Sequence, residues 1–290
     1  MSGQTRDVVA ATLVELIRAT SSSLPDDVEA ALKRAARKET KGSGAALVLG
    51  TILENVALAR RQGTPLCQDT GTLTVIVDES LRRRVTPERI ARAVAEATAK
   101  GYLRRNTIDA VTGRSYDDNC AVGAPLVKYE SVGDGSVTLI LKGGGSENMS
   151  RQYSLPDVAL GAGRDLEGVR KCLLDAVVKA QGFGCAPGIL GVCVGGDRAT
   201  GYDTAKHQLL RRLDDKNSDP ALAKLEWRVL KEANELGIGP MGLGGATTLL
   251  GVKIAARTRV PASFFVTVAY MCWACRRRRV VLAGKKGDRE

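Results

Sequence analysis

The sequence has no stretch of about 18 or more apolar residues, and its N-terminal residues lack a basic segment followed by an apolar one. Neither a membrane span nor a secretory signal is visible, and a cytoplasmic protein is expected. Aromatic residues are scarce, at 4% of 290. With no groove-reading motif either, nucleic-acid binding is the weaker reading of the chain. There is one histidine, His207, and one Cys-x-x-Cys pair, Cys272 to Cys275. Such a pair is half of a common structural zinc set, and the other half is missing. Internal repeats, low-complexity segments and an obvious linker are absent too, which favours one domain over several.

The 44% hydrophobic content is ordinary for a soluble globular protein and supports a sizeable core. Lys and Arg number 43 against 32 Asp and Glu, a net charge of +11. That excess favours anionic partners: nucleic acid, acidic lipid or a small polyanion. The basic residues are scattered except for the block Arg276 to Arg279, read as a solvated tail or a junction with a partner. Seven cysteines in a chain without an export signal argue against a disulfide framework and for metal ligation or inert burial.

Helical spacing of Val8, Val9, Leu13, Leu16 and Ile17 predicts a first helix, and Pro25-Asp26-Asp27 opens a second with Val28, Ala31, Leu32 and Ala35 inward. A third, from about Ala45 to Arg61, presents Leu49, Leu53, Val56 and Leu58 and is stopped by Gly63-Thr64-Pro65. The chain thus enters Pro65-Leu66-Cys67-Gln68-Asp69-Thr70-Gly71, a turn-prone loop with a thiol two residues from a carboxylate. Leu73 to Val77 reads as a buried strand. Thr86-Pro87-Glu88 reads as cap, first-turn proline and first-turn acid of a helix reaching about Leu103, where Arg104 and Arg105 would face its last carbonyls. Segments Ala124 to Glu130 and Ser136 to Lys142, separated by Gly133-Asp134-Gly135, predict a hairpin.

Gly143-Gly144-Gly145, before Ser146-Glu147-Asn148, reads as a flexible loop or as a place of close backbone approach. A helix from Leu166 to Gln181, a loop Gly182 to Gly188 and a strand Ile189 to Val194 come next. Two helices, about Ala199 to Leu213 and from Asp219-Pro220 to Leu236, precede the glycine-rich run Gly237 to Gly245. Strand-like segments Thr247 to Ala255 and Ser263 to Ala269 lead to Cys272. The expected fold is α/β in the mixed α+β sense, one domain over 1–290 with a helical N-terminal lobe to about residue 62.

Cys67, Cys185 and Cys272 each lie at a break between regular elements, in the company of Gly, Pro or polar residues. Cys172 has a helical setting and Cys193 an apolar strand, as core thiols do. Cys120 lies in a polar loop. Three well-separated thiolates suit an iron–sulfur cluster whose fourth iron is left for substrate.

The stretches PLCQDTG, KGGGSENMS, GCAPGILGVCVGGDR, GIGPMGLGG and PASFFVTVAYMCWA resemble, in order over nearly the whole chain, the N-terminal domain of class I fumarases and the alpha subunit of L-tartrate dehydratase. The resemblance implies a 4Fe-4S hydro-lyase in which Cys67, Cys185 and Cys272 hold three irons and the fourth binds a dicarboxylate, the sheet-containing lobe surrounding the cluster. It further implies that Gln68 contacts substrate, that Asp69 is the acid/base group, and that Arg104 pairs with a substrate carboxylate, a role suited to its bidentate fork. The implied reaction is reversible hydration of fumarate to malate, a tricarboxylic acid cycle step, ahead of tartrate or mesaconate. A beta subunit is the implied partner, in a heterotetramer.

Two departures stand out. Arg257-Thr258-Arg259-Val260 holds no histidine where that family usually has one before Pro261, and Gly245-Ala246-Thr247-Thr248 replaces a Gly-Gly-Lys-Thr-Thr run. They motivate the alternative of a non-catalytic cluster- or anion-binding relative.

Overall fold

The computed structural model describes residues 7–282. In chain order the elements are α1 (Val8–Ser22), α2 (Asp26–Lys38), α3 (Gly44–Gln62), β1 (Thr72–Asp78), α4 (Pro87–Ala99), β2 (Leu126–Glu130), β3 (Ser136–Lys142), the one-turn α5 (Gly144–Asn148) and β4 (Arg151–Ser154). They continue with α6 (Leu166–Ala180), β5 (Gly188–Gly195), α7 (Arg198–Gln208), α8 (Pro220–Glu235), β6 (Leu249–Arg257), β7 (Phe265–Met271) and β8 (Arg276–Val281). The mixed α/β class is as expected. Two compact units share these elements: the first takes the chain up to Pro25, Asn55–Gly143 and the chain from Arg276, and the second takes Asp26–Glu54 and Gly144–Cys275. The N-terminal helices are divided between them, α1 going to the first unit and α2 to the second.

In the first unit a four-stranded sheet has the order β2-β1-β3-β8. Alternation places Leu73, Val75 and Val77 of β1 and Val137, Leu139 and Leu141 of β3 on one face, where they form a core with Leu13, Leu16 and Ile17 of α1 and Ile90, Val94 and Ala97 of α4. Val8, expected inward on α1, is exposed. The N-terminus of α4 is as read: the Thr86 side chain accepts from the Arg89 amide and Pro87 occupies the first turn. Its C-terminus comes earlier than expected, because Gly101 takes φ +76° and closes the helix. The Gly101 amide donates to the Thr98 carbonyl and the Tyr102 amide to that of Ala97, a Schellman ending. Arg104 and Arg105 therefore follow the helix across a turn instead of capping it.

The hairpin expected between β2 and β3 is not formed. β1 lies between them, parallel to β2 and antiparallel to β3. Gly133 and Gly135 do adopt positive φ, but the turn they make is held by Asp78 at the end of β1, whose carboxylate accepts from the Gly133 and Asp134 amides. The block Arg276 to Arg279 is likewise no tail. It is most of β8, pairing antiparallel with β3 from Leu141↔Arg276 to Ser136↔Val281, with Arg276 and Arg277 buried.

In the second unit the sheet order is β4-β7-β5-β6. All eight residues of β5 are buried. Leu190, Val192 and Val194 join α6 and α8 in one core. On the other face Gly191 lets α7 come close: a Cβ there would stand 2.2 Å from the Ala205 carbonyl oxygen. On α3 the buried face is Ala45, Leu49, Ile52, Val56 and Ala59, whereas Leu58 is exposed; the helical period passes over it.

Candidate active site

The Cys67 to Gly71 loop of the first unit is fastened at its entrance by Leu66, a buried residue. The Leu66 amide donates to the Ser21 carbonyl at 2.9 Å, and its own carbonyl accepts from Asn55 Nδ2 at 2.9 Å. Within the loop the Asp69 amide points at Cys67 Sγ, 3.4 Å away. Asp69 Oδ1 accepts from the Gly71 amide at 2.8 Å, an Asx turn. Gln68 is exposed, Cys67 and Asp69 are half-buried, and Thr70 is buried.

The loop lies against the end of β3 at very short range. A Cβ on Gly71, which has φ +76°, would stand 2.4 Å from the Lys142 carbonyl oxygen, and one on Gly143 would meet Asp69 Oδ2 at 3.0 Å. Close approach was one of the two readings of the triple glycine. Gly143 bears it out, Gly71 supplies the matching side, and Gly144 and Gly145 instead begin α5.

Arg276 secures the loop from β8. Its side chain is among the largest fully buried ones of the protein, and Nη2 donates to the Asp69 carbonyl at 2.8 Å. Nε is buried and has no hydrogen-bond partner among the described residues. A guanidinium taken out of water for a neutral carbonyl is costly to bury, so Arg276→Met, which keeps bulk and sheds the charge, should change stability by less than about 1 kcal/mol. Arg276→Ala leaves a cavity and should cost about 2–4 kcal/mol. Thermal melts of the two variants check the contrast.

Arg104 is exposed, with its main chain held on both sides. Thr70 Oγ1 donates to the Arg104 carbonyl and accepts from the Arg104 amide, both at 2.9 Å. Asn119 Nδ2 donates to the same carbonyl at 2.9 Å. The loop bearing Asp69 and the segment bearing Arg104, 35 residues apart in sequence, are thus joined directly.

In the second unit Cys185 sits at φ +53° in the turn before β5, and Cys272 follows β7. The two loops meet: the Trp273 amide donates to the Cys185 carbonyl at 3.2 Å. Between them the Tyr270 ring fills the space that side chains at Gly184 and Gly188 would need, with added Cβ atoms 2.3 Å from ring carbon and hydroxyl respectively. Burial first, and then proximity to Cys272 and Cys185, holds the Tyr270 phenol well above its ordinary range. The glycine loop before β6 joins the same region, the Met241 amide donating to the Ala186 carbonyl.

None of the seven cysteines is in a disulfide. Cys172 is wholly buried, and burial with nearby Asp157 and Asp175 pushes its thiol up to about 12, the mark of an inert core cysteine. Cys193 is raised by burial as well. His207 sits in the last turn of α7, its Nδ1 3.1 Å from the Asp203 carbonyl oxygen. Where a histidine was expected before Pro261, Arg259 stacks on Phe264, 4.6 Å from the ring centroid, and donates to the carbonyls of Val260, Pro261 and Ser263. Among the described residues no three His, Cys, Asp or Glu side chains form a ready metal-binding group. Asn119 carries no signal in the sequence, Arg276 is marked there only as the start of the arginine block, and Thr70 and Tyr270 only as neighbours of Cys67-Gln68-Asp69 and Cys272.

These loops belong to a recognisable class: residues 10–281 match the model of the fumarate hydratase (Fumerase) family, and the chain is a member of that family. A protein assigned as a class I fumarate hydratase from Geobacillus stearothermophilus is 48% identical over 284 residues, covering 96% of this chain and 55% of that relative. The chain therefore spans about half the length of that protein. A protein assigned as the L(+)-tartrate dehydratase alpha subunit of Methanocaldococcus jannaschii is 32% identical over 96% of this chain and 99% of its own length. The L(+)-tartrate dehydratase alpha subunit of Escherichia coli K12 is 30% identical, covering 89% and 85% respectively.

Proposed function

We propose that the chain is the alpha portion of an iron–sulfur hydro-lyase acting on a four-carbon dicarboxylate, with fumarate and malate as the pair interconverted. The observation that carries this reading is the direct joining of the Asp69 loop to the Arg104 segment through Thr70, which sets a carboxylate and an exposed guanidinium on one rigid support. Asp69 moves the proton, Arg104 takes a substrate carboxylate in its two-pronged fork, and Gln68, exposed between Cys67 and Asp69, contacts the substrate. The 48% identity to the Geobacillus relative favours fumarate over tartrate.

Cys67, Cys185 and Cys272 would hold a 4Fe-4S cluster. The donor chemistry fits: three thiols on loops, one with an amide directed at its sulfur and two on loops that adjoin. When bound, the cluster supplies a Lewis-acidic iron for a substrate oxygen. Asp69, with one oxygen engaged by the Gly71 amide, keeps its carboxylate in a fixed orientation for proton transfer.

The reading extends to a beta partner in a heterotetramer and to a cytoplasmic tricarboxylic acid cycle enzyme. The tartrate dehydratase relatives are named as alpha subunits, which favours a beta partner. They also favour L-tartrate as the second reading of the substrate. Anaerobic coexpression with a candidate beta polypeptide, followed by assays on fumarate, malate, tartrate and mesaconate, tests all of this at once. Fumarate should be hydrated by the pair and hardly at all by the chain alone. Full turnover without any partner would remove the beta subunit, and salt-sensitive nucleic-acid retention without turnover would point to a non-catalytic relative.

A further inference from the structure

The Thr70 hydroxyl uses both its donor and its acceptor capacity on a single residue. It donates to the Arg104 carbonyl and accepts from the Arg104 amide, each at 2.9 Å, from a side chain 2% exposed. The Thr70 amide also reaches Asn106 Oδ1 at 3.4 Å. Behind this bridge stands Asn119, fully buried and in the left-handed region at φ +59°. Its Nδ2 donates to the Arg104 carbonyl and to Thr98 Oγ1, and its Oδ1 accepts from the Asn106 and Thr107 amides. No regular element holds residues 104–107; side chains do that work.

We infer that Thr70 is a positioning residue, which sets where the Arg104 guanidinium stands relative to the Asp69 loop, with Asn119 as its support. The inference rests on the reading of Arg104 as the ligand of a substrate carboxylate and deepens it. The two ends of the bridge are not equally dependent on Thr70. Asp69 has independent anchors in the Arg276 guanidinium on its carbonyl and the Gly71 amide on its carboxylate. Arg104 keeps Asn119 on its carbonyl, but among the described residues its amide has Thr70 alone. Removing the hydroxyl therefore loosens Arg104 and leaves the proton-transfer group in place, so substrate affinity falls while the chemical step is kept.

The test compares Thr70→Val, which preserves shape and deletes the hydroxyl, with Thr70→Ser, which preserves the hydroxyl, in the cluster-loaded enzyme assembled with its partner. Fumarate kinetics and amide hydrogen exchange over residues 103–107 are measured together. Thr70→Val should raise KM about tenfold with kcat within about threefold, and speed exchange of the Arg104 amide about tenfold or more. Thr70→Ser should restore both. A general loss of structure would lower active-enzyme content without splitting KM from kcat in this way.

Unchanged exchange in Thr70→Val overturns the inference. So does raised exchange with an unchanged KM when Arg104→Gln does raise KM. If Arg104→Gln leaves KM as in the wild type while Thr70→Val exchanges faster, the substrate role of Arg104 fails and the Thr70 bridge stands.

Discussion

Replacing Cys67, Cys185 or Cys272 by alanine abolishes the visible absorbance of the reconstituted cluster and all turnover, whereas alanine at Cys172 or Cys193 changes neither. This is the expected outcome of anaerobic reconstitution followed by absorbance and iron analysis of each variant. The contrast follows from the surroundings of the thiols. Cys172 and Cys193 are wholly buried and held in the neutral form by desolvation, and a neutral thiol is a poor iron ligand. Cys67 has the Asp69 amide on its sulfur, and Cys185 and Cys272 lie on adjoining loops around Tyr270. A cluster held by three cysteines has no spare ligand, so each loss should be total. A full spectrum in any of the three variants would remove that residue from the set.

The second large effect is expected at Asp69. Asn at this position keeps the oxygen that accepts from the Gly71 amide, and the main-chain carbonyl that Arg276 holds is untouched, so the loop should keep its shape and the cluster its absorbance. What is lost is the capacity to exchange a proton, and kcat should fall by about 10²–10⁴-fold with KM changed far less. Turnover within a few-fold of the wild type, in a variant with a normal spectrum, would assign the proton to another group.

Local signals in the sequence were read correctly where neighbouring residues alone decide the structure. Thr86-Pro87 starts α4 and Asp219-Pro220 starts α8 because cap and fixed proline φ act within one turn. The Cys67-Gln68-Asp69 loop was legible for the same reason, as glycine and proline punctuate it. The misread features depend on partners far along the chain. Gly133-Asp134-Gly135 has the composition of a hairpin turn, yet β1, some 60 residues earlier, takes the place beside β3. Four consecutive arginines look like a solvated tail, and only pairing with β3 reveals them as a strand with its first residue fully buried. The end of α4 was legible in principle. Gly101 sits where a Schellman ending requires a left-handed residue, and apolar Tyr102 and Leu103 drew the expected helix past it. Asn119 gave no sign at all, since nothing in a polar loop marks which asparagine will be buried with all its polar atoms satisfied.

The place of β8 in the first sheet has a consequence for synthesis on the ribosome. That sheet begins with β1 at residue 72 and closes only when Arg276 and its neighbours pair with β3. All three candidate cluster cysteines are translated before the guanidinium that grips the Asp69 carbonyl. A nascent chain paused after Cys275 therefore carries the three thiols while β3 still presents an unpaired edge, and the Asp69 loop gains its buried arginine last. Long-range closure of this kind is slow and leaves an open strand edge meanwhile, so any iron delivered early would meet the three thiols before the Asp69 loop is secured.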